Sequence, residues 1–256
     1  MKFIGIDLGW LNGATGLCCL QWQDNHLVIL DFSYHSATED IFCWLDSWVK
    51  INEPAMVAVD APTIITNQVG MRLADRLVQK SFSRYHAGCY PANLSRPFAR
   101  RTVEFGRSLE AKGFVHAPSL QPQALGRYQI EVFPHPATIH LFGLNKILKY
   151  KKGKIADKKI ELEKLRYLIV KVLPNLEPGI NLDSLALIPS IPRAVRGVGL
   201  KEIEDKLDSL LCAYIGAYWW YWGIAKNWVL GKLDTGYIVI PAPLESVKAK
   251  DSRRGV

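Results

Sequence analysis

Acids interrupt or end several of the apolar stretches in this sequence, and that placement is the first chemical signal. Lys2-Phe-Ile-Gly-Ile-Asp-Leu-Gly-Trp10 is a nearly continuous apolar run broken by Asp7, the pattern of a strand buried on both faces. Asp7 serves either as a turn cap or as a metal- or phosphate-site acid. A carboxylate in a buried strand is costly unless a cation holds it, which favours the second reading. Met56-Val-Ala-Val-Asp-Ala-Pro62 repeats the arrangement with Asp60, and Tyr128-Gln-Ile-Glu-Val-Phe-Pro134 carries Glu131. Asp205 and Asp208 stand three residues apart in a helical pattern, so both can share one face. Alone, that pair reads equally well as solvated charge near a helix N-terminus. Close carboxylates repel unless protons or cations offset them. Hard divalent ions take oxygen ligands, and two such ions about 4 Å apart can cleave a phosphodiester. The set Asp7, Asp60, Glu131 and Asp208, with Asp205, therefore points to Mg²⁺- or Mn²⁺-assisted hydrolysis.

The elements that must position these acids follow from the pattern. Residues 3–8, 14–21 and 27–32 read as three strands in an antiparallel meander. A helix over 37–50 with Thr38 as N-cap leads to the strand holding Asp60. After that crossover the fourth strand can lie parallel beside the first, with both aspartates at the carboxyl edge where open α/β sheets bind ligands. Helices are expected over 70–82, with Arg72, Asp75 and Arg76 exposed, and over 99–112, with a basic face. Another is expected over 157–173, and a last long one from near residue 200. A short strand over 237–240 follows it, and the tail from 248 is polar. One domain over 2–241 is expected, with helical insertions around 68–127 and 146–199.

Basic residues supply the second signal. The 256-residue chain carries a net charge of +8, which permits contact with nucleic acid or another polyanion without establishing it. Arg96, Arg100 and Arg101, and Lys151 and Lys152 within a lysine-dense stretch, are candidates for holding phosphates; the lysines read equally well as a solvated loop. His135, between two prolines, either lines the site or is a turn residue. The five cysteines form no CxxC pair, so a zinc cage or disulfide framework is not indicated and a reducing cytoplasm fits. The apolar stretch around 207–229 carries charges and reads as a core helix rather than a membrane span. In Tyr218-Trp-Trp-Tyr-Trp222 the aromatics serve as core or as an association surface.

The pieces Gly5-Ile-Asp-Leu-Gly-Trp10, Val57-Ala-Val-Asp-Ala-Pro62, Glu131-Val-Phe-Pro-His-Pro136 and Asp205-Lys-Leu-Asp-Ser-Leu-Leu-Cys-Ala-Tyr214 together resemble the domain-of-unknown-function family numbered 429, described as RNase H-fold nucleases. The resemblance covers roughly residues 2 to 241. It implies a ribonuclease H-like α/β fold: a mixed five-stranded sheet in the order 3-2-1-4-5, flanked by helices. Asp7 would match the first-strand acid of that superfamily and Asp60 the fourth-strand acid. Asp208 with Asp205 resembles the final-helix acids of Holliday-junction resolvases, whereas Glu131 has no equally secure counterpart. Two other readings stand beside the nuclease. Ile6-Asp-Leu-Gly with Gly13-Ala-Thr-Gly16 also resembles the first phosphate loop of actin-like and sugar-kinase phosphotransferases, without a second glycine-rich hairpin. A binding module that retains the acids without turnover is the third.

Overall fold

The computed structural model describes residues 1–11 and 13–244. The expected polar tail from 248 lies outside the described residues. The chain begins with β1 (Lys2–Asp7), β2 (Thr15–Gln23) and β3 (His26–His35), an antiparallel meander as expected. Helix α1 (Thr38–Trp48) then crosses to β4 (Ala55–Val59), which pairs parallel to β1 with Ile6 opposite Val59. Ala37, not Thr38, is the N-cap of α1, and no side chain caps it.

Two helices follow, α2 (Leu73–Phe82) and α3 (Ala99–Ala111), and then β5 (Val115–His116) and β6 (Arg127–Glu131). Helices α4 (Pro134–Phe142), α5 (Ile155–Val172) and α6 (Gly197–Trp222) precede a separate hairpin, β7 (Asn227–Lys232) and β8 (Gly236–Pro241). The main sheet has six strands in the order β3-β2-β1-β4-β6-β5 rather than five. The strand carrying Glu131 does lie parallel beside β4; the extra member is the two-residue β5 at the edge. So short a strand has no hydrophobic period to betray it.

Alternation along the strands divides the core in two. Phe3, Cys18, Leu20, Met56 and Ala58 pack against α6, while Ile4, Ile6, Leu17, Val57 and Val59 pack against α1 and α3. By the same parity Gly5, Asp7 and Asp60 belong to the α6 side of the sheet. Within α6, Tyr218, Trp219 and Trp220 are buried, so that aromatic run is mainly core, and the Trp219 indole donates to the Ala117 carbonyl at 3.0 Å. Among the described residues no helix is long and apolar enough to cross a membrane, and the five cysteines are free.

Candidate active site at the carboxyl edge of the parallel strands

Two glycines let α6 approach the sheet. A Cβ on Gly5 would lie 1.9 Å from the Ser209 carbonyl oxygen and 2.3 Å from the Ala213 nitrogen. One on Gly16, the cross-strand partner of Asp7, would lie 2.1 Å from the Asp205 carbonyl oxygen. The helix therefore seats against β1 and β2 backbone to backbone and delivers Asp205 and Asp208 to the edge where Asp7 ends β1. Asp60 follows β4, and its N–H donates to the Ile6 carbonyl at 2.8 Å.

The acids share three cations. Lys151 Nζ lies 2.7 Å from Asp208 Oδ2 and 3.9 Å from Asp7 Oδ2. Asp208 Oδ2 is buried, with this ammonium as its charge partner. The Tyr150 hydroxyl donates to Asp208 Oδ1 at 2.7 Å. Lys201 reaches Asp205 Oδ1 at 2.5 Å and Glu204 Oε1 at 3.0 Å, Lys158 reaches Glu204 at 3.4 Å, and the Tyr34 hydroxyl donates to Asp205 Oδ2 at 3.2 Å. Burial first, and then the charge on Asp7, push the Asp205 carboxyl up to about 8. Asp7 is raised by burial and by Asp208 against the pull of Lys151, and Asp60 well raised by burial and Asp7. Burial opposes the Lys151 cation, yet Asp208 and Asp7 hold its pKa well above the usual lysine range.

These groups surround a cleft of about 920 Å³ whose lining includes Asp7, Asp60, Asp205, Glu131, Lys151 and Lys152. Asp208 stands behind that wall, completely buried. Glu131 is held by Arg72, whose guanidinium donates to its two oxygens at 2.6 and 2.8 Å. Arg72 also donates to Asp75 Oδ1 at 2.8 Å, and Asp75 accepts from the Ala92 N–H at 3.0 Å. Arg72 and Asp75 are thus buried, not exposed: a guanidinium between two carboxylates turns what reads as a polar helix face inward. Burial pushes Glu131 up to about 7 against that cation. His135 lines the cleft with its ring 5.6 Å from that of Tyr150; Nε2 is buried without a partner, and burial and Lys151 push the imidazole down to about 4.

Asp7, Asp60, Asp205, Asp208, Lys151 and His135 are therefore brought together. Arg96, Arg100 and Arg101 are not among the residues that line the cleft. Arg100 is exposed and pairs with Glu104, while Arg101 donates to the carbonyls of Leu11 and Ser36. Sequence reasoning missed Arg72, Tyr34, Tyr150 and Lys201. Only Lys201 had a local signal, its place four residues before Asp205.

Among the described residues no three His, Cys, Asp or Glu side chains are arranged to hold a metal ion. The donor type nevertheless suits a hard divalent cation: carboxylate oxygens only, in a group of acids whose proton affinities are raised first by burial and then by neighbouring carboxylates. Mg²⁺ or Mn²⁺ fits these residues in chemistry, with the Lys151 ammonium as the cation among them.

An α/β sheet with clustered acids at the carboxyl edge of its parallel strands defines the class. The chain belongs to the family described as Protein of unknown function (DUF429), whose model matches residues 5–226. No curated protein matches the sequence significantly.

Proposed function

We propose that the cleft is a divalent-metal-dependent phosphodiester-cleaving site of ribonuclease H-like type, acting on nucleic acid or a smaller phosphoester. The observation that carries this reading is the convergence of Asp7 and Asp60, at the carboxyl ends of adjacent parallel strands, with Asp205 and Asp208 of α6. The strand order β3-β2-β1-β4-β6 supports it, being the order the resemblance implies before the added edge strand.

Asp7, Asp60 and Asp208 would hold Mg²⁺ or Mn²⁺, which when bound supplies Lewis-acid polarisation and a more acidic water. The chain's own groups do the rest. The pair Asp7 and Asp205, with Asp205 near 8, holds a proton at neutral pH. One member of that pair is placed to take the proton of an attacking water while the phosphorus–oxygen bond breaks, and a protonated carboxyl to return one to the leaving oxygen. Lys151 and Lys152 offset the phosphate charge. Neutral His135 donates or accepts a hydrogen bond without adding to the cation count.

Calorimetric titration with Mn²⁺, wild type against Asp7→Asn, tests the reading together with cleavage of single-stranded DNA, RNA and bis(p-nitrophenyl) phosphate. Mn²⁺ binding and Mn²⁺-dependent cleavage, both lost in the variant, are expected. No Mn²⁺ binding by the wild type, alone or with a phosphorothioate oligonucleotide present, overturns it. Stabilisation by ATP without cleavage would point instead to a phosphotransferase.

A further inference from the structure

The rim of the cleft differs in chemistry from its floor. Trp10, half exposed, leaves β1 at the mouth and leans on buried Phe98, ring centroids 4.5 Å apart at 44°. Tyr90, two-thirds exposed, stands edge-on to Trp10 at 6.2 Å and 77°. Lys152 Nζ donates to the Tyr90 hydroxyl at 3.1 Å and sits 5.6 Å from the centre of its ring. Arg101, which the sequence suggested for phosphate, instead ties down the Leu11 carbonyl beside Trp10. Two large aromatic side chains are thus half and two-thirds exposed on a braced support, with an ammonium over the ring of the second and the acids in the same cleft.

Exposed aromatic faces beside cations are the elements of a base-stacking platform for single strands. A duplex stacks its bases on each other and offers no free face to Trp10. At the floor Asp205 and Glu131 are buried while Asp7 and Asp60 are partly exposed, so a bound phosphodiester reaches the open acids through a cleft of about 920 Å³, which favours a single strand. We infer that Trp10 and Tyr90 form a stacking subsite for an unpaired nucleobase, with Lys152 beside the adjoining phosphate, so that the cleft takes single-stranded nucleic acid. The stacking subsite rests on the rim alone, whereas the path of the strand toward the acids rests on the phosphodiester-cleaving reading.

Anisotropy of a labelled ten-residue oligothymidylate, in EDTA and again with Ca²⁺, tests the subsite without cleavage. Stacking contributes about 1–3 kcal/mol per base, so Trp10→Ala should weaken binding about 5- to 150-fold. Tyr90→Ala should weaken it by less, and Trp10→Phe should keep most of it. An abasic strand of the same length should bind the wild type more weakly by the Trp10→Ala factor and should not distinguish wild type from Trp10→Ala. Equal loss on the abasic and thymidylate strands, equal affinity for a duplex, preference for an oligosaccharide, or no binding in either condition overturns the subsite. Base-dependent binding without any Mn²⁺-dependent cleavage leaves the subsite standing and removes the hydrolytic reading. Cleavage that ignores Trp10 and Tyr90 does the reverse.

Discussion

Replacing Gly5 by alanine tests whether backbone contact between β1 and α6 sets the position of the acids. The added Cβ meets the Ser209 carbonyl oxygen at 1.9 Å, the Ala213 nitrogen at 2.3 Å and the Ala213 Cβ at 2.8 Å. Two of these are backbone atoms of a helix, so no side-chain rotation relieves the clash. α6 must retreat by roughly 1.5 Å to restore a separation of roughly 3.5 Å. Inserting one methyl into a close-packed core costs about 1–3 kcal/mol, and the rigid neighbours place Gly5→Ala at the upper end. The reduced entropy of the unfolded chain returns about 0.4–1 kcal/mol, leaving a net loss of about 2 kcal/mol. Gly216→Ala, on α6 itself, is the control. Its Cβ would meet the Ala58 Cβ at 3.1 Å, a contact that a shift of a few tenths of an ångström relieves, and Met56 side-chain atoms at an ordinary 3.6 Å, while alanine favours the helix by about 1 kcal/mol. Urea unfolding followed by circular dichroism should show the Gly5→Ala midpoint falling by about 1 M for a urea slope near 2–3 kcal/mol/M, and that of Gly216→Ala unchanged or raised. Mn²⁺-dependent cleavage by folded Gly5→Ala should drop about 10²-fold, the order expected for a 1 Å misplacement of reacting groups. A Gly5→Ala midpoint equal to wild type would refute the packing argument.

Arg72→Met leaves Glu131 and Asp75 buried without their cation and should cost about 3–5 kcal/mol in urea unfolding, with part recovered on adding Glu131→Gln. Because the fold holds His135 near 4, the unfolded chain binds a proton there first as pH falls from about 6.5 to 4. That residue should therefore withdraw on the order of 2–3 kcal/mol of stability over the window, and thermal melts of His135→Asn should lack this loss. Lys151→Met should destabilise at pH 8, with the defect shrinking as pH is lowered and Asp7, already raised, takes up a proton instead; a pH-independent defect in the melts would count against the ion pairs.

The sequence carries the placement of Asp7 and Asp60 because that placement is local: two apolar runs of β type, one intervening helix, and an acid at each end. Parity then puts both acids on the side of the sheet that α6 covers. Arg72 was hidden for the opposite reason. Its partner Glu131 is 59 residues away, and nothing in a 3.6-residue period separates a solvated arginine from one turned inward to a distant carboxylate. Lys151 was legible as a candidate for phosphate, but its pairing with Asp208 and Asp7 was not, because the local pattern in a run of lysines gives no rank to its members. Thr38 has the right residue type for an N-cap, but the chain turns one residue earlier.

The site concentrates negative charge beyond what stability alone would select. Buried ion pairs are often matched or exceeded in stability by apolar groups of the same shape. Here the close seating at Gly5 and Gly16 brings Asp205 and Asp208 toward Asp7 and Asp60, and burial, with the repulsion added to it, raises the proton affinity of Asp7, Asp60 and Asp205. Neutralising one acid at constant shape should therefore stabilise the fold. Asp60→Asn is the cleanest case, since Asp60 is pushed up by burial and by Asp7. The folded pKa lies above the unfolded one, so ionised Asp60 costs stability at pH values above the folded pKa. That cost fades as pH falls toward the unfolded value, because the native protein is then already protonated there. Thermal melts should show Asp60→Asn more stable than wild type at pH 8 and equal to it near pH 4, with Mn²⁺ affinity and cleavage lost at every pH. If Asp60→Asn is instead less stable at pH 8, the acids are already balanced by Lys151 and Lys201, and the pressure toward a further cation that underlies the proposed chemistry is absent.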